Sequence, residues 1–433
     1  MQASKPIANF IQEYRKVLKG FSPNAVAYLQ ANFLIGLSYA VYGVIFNLYL
    51  SQAGFQEGFI GGMLSLGGLA FGLFAIPGGL LSDRTGRKRS MLGASLAGSF
   101  FLLLRAMTIN RTLLVASSFL GGLAVTVYNI SAAPFMMENS RPHERNYLFS
   151  LSFAATLLAG VLGNLLGGKL PDILNLALRT GDRLLLYRLT LAAGALISFF
   201  SLWPLFRIKE PGPRENDLIL NGPAAGREDW WRIGKFSWCN LWIGLGAGLV
   251  IPFFNLYFAK RFGSTSGQIG FYFSVSQVLT ALAVLAGPQL AKRIGRINTV
   301  VLMELLSLPF LVTLGAVEHS LTLAVLAFWM RASLMQMSSP IANAFTMEAL
   351  PRRVRATANS LTSMSWNLAW ALSTAFSGWM MQRYGYAVPY YLTAFCYLVS
   401  SVSYYLFFSK ADAEMAKIKT SENNISIGGF SHG

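Results

Sequence analysis

Three charged residues stand inside otherwise apolar stretches of this 433-residue sequence: Arg105, Glu304 and Arg331. A charge in such a run is costly to bury and marks a functional position by default. From the turn near His319, Glu304 lies about fifteen residues to one side and Arg331 about twelve to the other, so their depths on two paired helices differ by only ~4 Å. A salt bridge across that hairpin is feasible, and two readings stay open. Either the pair is neutralised so that both charges can be buried, or it is a coupling site at which Glu304, the single deep acid, carries a proton. Arg105 falls about sixteen residues into its run and is expected to reach out to a bilayer interface. No catalytic pattern accompanies these charges. His143, His319 and His432 lie near loops or the chain end, and Cys239 and Cys396 sit in apolar runs as buried thiols rather than a disulfide or zinc cluster. With no nucleophile–base pair and no phosphate-binding glycine loop, neither enzyme chemistry, metal nor cofactor is expected.

The elements that position these residues follow from composition. The chain is 54% hydrophobic and 12% charged, with a mean hydropathy of +0.48, far below the roughly 25% charge of a soluble surface. A bilayer span takes about 20 apolar residues. Spans are read at 24–50, 58–81, 90–109, 112–137, 147–168 and 185–206, then at 233–258, 266–290, 297–317, 321–347, 356–382 and 386–408. Residues 207–232 between the two sets are polar and rich in Pro and Gly, which is linker composition. The expectation is an all-α membrane protein of twelve transmembrane helices in two pseudo-symmetric six-helix bundles, 24–206 and 233–409. Residues 1–23 form an amphipathic lead-in, with Ile7, Phe10, Ile11 and Tyr14 opposite Arg15, Lys16 and Lys19, and 410–433 form a tail. Residues 1–20 lack the unbroken apolar stretch of a cleavable signal peptide. The formal charge of +17 comes mostly from loops that fall on one side of the membrane. By the positive-inside rule both termini are cytoplasmic, and no nucleic-acid partner is expected.

The two sets of spans repeat one another. Asn32, Ile35, Gly36, Leu37 and Phe46-Asn47-Leu48-Tyr49 recur 208 residues later as Asn240, Ile243, Gly244, Leu245 and Phe254-Asn255-Leu256-Tyr257. Gly86-Arg87 recurs as Gly295-Arg296, and Met137-Glu138 with Arg145 as Met347-Glu348 with Arg355. Six helices per repeat give both copies the same orientation, related by an axis along the membrane normal.

The turn after the second span reads Gly78-Gly79-Leu80-Leu81-Ser82-Asp83-Arg84-Thr85-Gly86-Arg87-Lys88-Arg89. The paired glycines allow close helix approach, Asp83 suits a helix terminus, and Gly86 suits a turn with positive φ. This run resembles the G-x-L-x-D-R-x-G-R-K signature of the major facilitator superfamily, and the resemblance extends over nearly the whole chain. It implies a cytoplasmic charge network of Asp83 and Arg87 with Glu138 and Arg145, echoed by Glu348 and Arg355, with Gly79, Arg84, Gly86 and Lys88 in the same gating motif. Lys292 stands where the second copy would need an acid, which makes Asp83 the single switch acid. The family's antiporter branches place an Arg ahead of a G-x-G pattern in the fourth helix, from which this chain departs with Ser117-Ser118 before Gly121-Gly122. Their fifth-helix G-P-x-x-G-G pattern resembles Gly163-Asn164-Leu165-Leu166-Gly167-Gly168.

In that family the first, fourth, seventh and tenth helices line a central cavity. The resemblance therefore implies cavity residues Asn32, Gly36, Tyr39 and Asn47, Tyr128 and Asn129, Asn240, Gly244 and Asn255, and Gln336 and Asn343. Trp366 and Trp370 on the eleventh helix would form an aromatic wall. Such a cavity of amides and aromatics favours a neutral or amphipathic small molecule. The expected function is secondary active transport by alternating access, with efflux first. The alternatives are uptake or facilitated movement of a neutral solute such as a sugar, and, more distantly, a receptor or scaffold that transports nothing. Protons are the candidate coupling ion. The protein is expected to work as a monomer in the plasma or bacterial inner membrane.

Overall fold

A computed structural model describes residues 20–141, 143–209, 226–351 and 354–428. The amphipathic lead-in at 1–19 and most of the linker, 210–225, lie outside the described residues, as do Arg352 and Arg353. Twelve long helices follow one another: α1 Pro23–Gln52, α2 Glu57–Thr85, α3 Arg87–Met107, α4 Arg111–Glu138, α5 Arg145–Leu178, α6 Arg183–Arg207, α7 Arg227–Phe262, α8 Ser266–Ile294, α9 Arg296–Ala316, α10 Leu321–Glu348, α11 Arg355–Tyr384 and α12 Ala387–Gly428. Among the described residues, eleven of these are long and apolar enough to cross a membrane. The exception, α11, has the length but carries Asn359, Ser360, Ser363, Ser365, Asn367, Ser373, Thr374 and Ser377.

Local sequence sets the helix ends. Ser22, Asn110, Asp182 and Ser320 cap α1, α4, α6 and α10 by accepting backbone N–H groups of the first turn, which satisfies donors the helix cannot pair itself. Gly86 and Gly295 take φ of +91° and +89° with extended ψ of 149° and 159°. That region is essentially reserved for glycine and is more restricted than the left-handed helical turn. The helix following each therefore starts in a new direction. Within α7, Pro252 coincides with a 3₁₀ turn at Ile251–Phe253, because proline cannot continue the α-helical hydrogen-bond ladder. Two spans run beyond their sequence-based ends. α5 continues through Lys169, Pro171 and Asp172 to Leu178, and α12 continues past Ser409 to Gly428.

The described residues fall into two compact units, which differ from a plain six-and-six division at two places. One unit holds α1, α2 from Leu66, α3 to α6, and the stretch Phe258–Ser274. The other holds Glu57–Ser65, α7 to Tyr257, α8 from Val275, and α9 to α12. In the first unit α1 packs on α5 and α6, and α3 on α4 and α6. In the second the same pattern recurs, with α7 on α11 and α12, and α9 on α10 and α12. Small residues set these approaches. A Cβ on Gly163 would lie 2.5 Å from the Leu37 carbonyl, and one on Gly244 would lie 2.6 Å from the Trp366 carbonyl. In the first unit Gly168 likewise meets the α8 backbone at Ser266 and Gly270. In the second Gly61 meets α11 at Thr374 and Gly378, which draws the start of α2 into that unit. Such contacts take the place of the hydrophobic drive that lipid removes. Hydroxyl pairs add to them, with Ser82–Ser131 at 2.7 Å, Ser95–Ser201 at 2.8 Å and Ser99–Ser198 at 2.7 Å.

Candidate functional site

At the turn joining α2 and α3, Arg87 gathers the charges that the sequence singles out. Its guanidinium lies 2.5 Å from Asp83, one helical turn back, and 3.4 Å from Glu138 at the end of α4, and it donates to Ser82 Oγ at 3.0 Å. In the second unit Arg296 pairs with Glu348 at 2.9 Å, repeating the Arg87–Glu138 contact. The arginines at the starts of α5 and α11 do otherwise. Arg145 joins no ion pair among the described residues, its Nε is buried without a hydrogen-bond partner, and Glu138 pairs with Arg87 instead. Arg355 turns back to donate Nε to the Leu350 carbonyl at 3.0 Å. Arg84 is exposed, and Lys88 half-buried. Gly79 faces Ile130, whose methyl would sit 3.6 Å from an added Cβ.

The acid that the second copy of the turn lacks at Lys292 comes from a distant position. Asp412 Oδ2, on α12, accepts the backbone N–H groups of Arg296 and Ile297 at 2.9 and 3.0 Å. A carboxylate there caps α9 and complements its N-terminal dipole. Sequence reasoning missed this residue because α12 was read as ending at 408. A second missed pair ties the start of α2 to the loop between α11 and α12, where Tyr386 donates to Glu57 Oε1 at 3.0 Å. Burial, then the adjacent Glu57 carboxylate, pushes the Tyr386 phenol above its ordinary range, so it stays a donor.

The membrane charges are arranged differently from the expected hairpin salt bridge. Glu304 on α9 and Arg331 on α10 are both buried, yet they make no ion pair with each other. Each reaches α12 instead. Ser401 donates to Glu304 Oε2 at 2.7 Å, and Arg331 Nη2 donates to the Tyr397 hydroxyl at 2.6 Å. Tyr397 and Ser401 are one turn apart, so α12 supplies a polar spacer between acid and guanidinium. Ser401 also has the Tyr397 carbonyl within reach at 2.9 Å, which gives its single proton two acceptors. Arg331 lies 5.7 Å over the Phe254 ring and 5.6 Å over the Tyr397 ring. Arg105 lies in the last turn of α3, half-buried. It folds back to donate Nε to the Phe101 carbonyl at 3.2 Å and rests 5.7 Å over Phe46.

Of the residues assigned to a cavity, three come together. Tyr39 from α1 and Tyr128 and Asn129 from α4 line a cavity of about 190 Å³ within the first unit, with Ser95 and Gly98 of α3 and Ser198 of α6. Ser95, Gly98 and Ser198 were not foreseen, as small residues carry no signal of the space beside them. Asn32 instead spends its amide on α5, at 3.0 Å from Thr156 Oγ1 and 3.4 Å from Ser152. Gly36 sits against Ala159 of the same helix. Asn47 and Asn255 are buried, and Asn255 Oδ1 accepts the Leu256 N–H at 2.8 Å. In the second unit Asn240 donates to the Phe236 carbonyl at 3.0 Å, and Gly244 occupies the crossing of α7 with α11. Gln336 and Asn343 are exposed on α10. Trp366 and Trp370 pair with ring centroids 4.9 Å apart.

Comparison with known proteins agrees with this architecture. The family model of the Major Facilitator Superfamily matches residues 29–242 and again 236–429. No curated protein matches the sequence. Among solved structures, a bacterial homologue of the human lysosomal transporter Spinster, in an inward-facing and occupied conformation, is similar with TM-score 0.70 at 15% identity, over 88% of this chain and 95% of that one. The nucleoside transporter NupG is similar with TM-score 0.71 at 14% identity, over 89% and 99%. A D-xylose–proton symporter is similar with TM-score 0.69 at 15% identity, over 89% and 97%. At these identities the likeness is one of fold.

Proposed function

This chain belongs to the Major Facilitator Superfamily, and on that premise we propose that it exports a small neutral or amphipathic solute by alternating access in exchange for protons bound at Glu304. The protein is a multi-pass membrane transporter and not an enzyme. The geometry around Glu304 is the observation that supports proton coupling. It is a buried acid with a single side-chain donor, Ser401, and no cation within ion-pair distance among the described residues. A carboxyl not locked to a cation can bind and release a proton without breaking an ion pair, whereas a paired one cannot. The cavity lined by Tyr39, Tyr128 and Asn129 supplies aromatic surface and amide groups, which suit a solute with an apolar body and few polar atoms. The clusters Asp83–Arg87–Glu138 and Arg296–Glu348 act as gating contacts on the cytoplasmic side, where both termini lie. The protein works as a monomer in the cell membrane.

Uptake of a neutral hydroxylated solute is the second reading, favoured by the exposed amides of Asn129, Gln336 and Asn343, which can each donate and accept. Proteoliposomes with an imposed pH gradient separate the two by the direction of gradient-driven flux. In either direction Glu304→Gln should abolish the dependence on the gradient while leaving solute exchange intact. Full gradient dependence in Glu304→Gln would remove Glu304 as the proton carrier.

A further inference from the structure

The cavity of about 190 Å³ in the first unit is lined from α1, α3, α4 and α6, and its polar side chains fall into two sets. Ser95 and Ser198 are spent within the protein, the first bonded to Ser201 at 2.8 Å and the second to Ser99 at 2.7 Å. Tyr39, Tyr128 and Asn129 are not. Tyr128 is 6% exposed, and its hydroxyl is buried without a hydrogen-bond partner. The Tyr39 hydroxyl and the Asn129 side-chain amide likewise take no partner among the described residues. Asn129 is exposed as well as lining the space, which sets it at the mouth. A buried polar group left unpaired costs about 1–3 kcal/mol. Unspent groups gathered round one space are therefore placed for a partner from outside the chain.

The duplicated half shows how the space arises. Helices α3 and α9 each have 21 residues and begin 209 apart, at Arg87 and Arg296. Helices α4 and α10 each have 28 residues and begin 210 apart, at Arg111 and Leu321. Positions within them correspond without gaps. Where the first half lines its cavity with Ala94, Ser95 and Val125, the second carries the longer Met303, Glu304 and Met335. Where the first has Tyr128 and Asn129, the second has Ser338 and Ser339, and Tyr39 corresponds to Ala247 in the repeat of 208. The first half is thus both emptied and given hydrogen-bonding groups at one place.

We propose that this cavity binds a neutral solute with a single aromatic ring and one carboxamide-like group. The volume sets the ring, since an apolar cavity of about 150 Å³ holds benzene. No ionised side chain lines it among the described residues, so a charged solute would lose its hydration without compensation. Two hydroxyls and an amide both donate and accept, which matches the one acceptor and two donors of a carboxamide. A sugar of similar size carries a hydroxyl on nearly every carbon, more than these side chains can pair, and each one left over is costly. The inference rests on the reading of this cavity as the solute site and narrows the class of solute.

Benzamide is the probe, with benzoate and xylose as comparisons, and equilibrium binding and thermal shift are read on the full-length protein purified in detergent. Benzamide should bind and stabilise the wild type, and the other two should not. Ala94→Met and Val125→Met each introduce the residue that the other half carries, and each should abolish benzamide binding by filling the space. Asn129→Leu and Tyr128→Phe keep the space and should each weaken benzamide roughly 2- to 13-fold, the range for one neutral hydrogen bond. Because the four variants act independently, misfolding of one leaves the others to report. No binding by the wild type, equal binding of benzoate or xylose, full affinity in the filled variants, or full affinity in both Asn129→Leu and Tyr128→Phe would each overturn the proposal. Binding needs no gradient, so these outcomes are separate from the flux assay, whose failure would bear on the transport reading alone.

Discussion

Removing the Ser401 hydroxyl reports directly on whether Glu304 exchanges a proton. Ser401 is the single side-chain donor to the buried Glu304 carboxyl, at 2.7 Å, and its alternative acceptor is the Tyr397 carbonyl at 2.9 Å. When Glu304 is ionised, the hydroxyl donates to a charge, an interaction of about 1.5–3 kcal/mol. When Glu304 is protonated the interaction becomes a neutral one of about 0.5–1.5 kcal/mol, and the serine proton is free to move to the carbonyl. Ser401→Ala should therefore destabilise the protein by about 1 kcal/mol more on the alkaline side of the Glu304 titration than on the acid side. The sign follows because the lost donor favours the charged form, so its absence is felt most where that form is populated. Unfolding of the wild type, Ser401→Ala, Glu304→Gln and the double variant across about pH 5–9 isolates the pairwise coupling. A coupling energy that does not vary with pH would mean that Glu304 keeps one protonation state, and the proton-carrier role would fall with it.

Two further outcomes follow from the turns. Asp83→Asn removes one of the two acids that Arg87 meets, in a pair whose acid is 42% exposed, so thermal unfolding should change by under about 1 kcal/mol. Labelling of introduced cysteines should nevertheless shift markedly toward the inward-open pattern, and an unchanged pattern would exclude Asp83 from gating. Gly86→Ala and Gly295→Ala each place a side chain at φ near +90°, and each should lose about 1–3 kcal/mol on chemical unfolding; a neutral effect would show that the turn can relax.

Much of the fold is legible because lipid imposes simple rules. Continuous apolar runs and the duplicated Phe-Asn-Leu-Tyr run locate helices and repeat without reference to contacts. Side-chain direction is not legible in the same way. Counting residues gives the depth of Arg105 along α3, but its direction depends on Gly121 of another helix, which leaves a slot beside Phe46. Glu304 and Arg331 have matched depths, but depth does not say that Tyr397 and Ser401 of α12 stand ready to take each of them first. Asp412 escapes notice because nothing in its local composition indicates that α9 begins beside it. Polar residues at helical spacing are equally ambiguous, since Asn32 holds α1 to α5 while Tyr39, two turns on, faces a cavity.

Duplication explains why such ambiguities can still be resolved within one chain. Each half serves as a reference for the other, so a departure between them isolates what a single copy would hide. The aromatic platform is retained at Phe46 and Phe254, and a guanidinium is retained over each at 5.7 Å. The helix that delivers it is not retained. The second half carries it on α10 at Arg331, and the first on α3 at Arg105, which fills the slot left by Gly121. The acid, by contrast, is present in one half and replaced by Ser95 in the other.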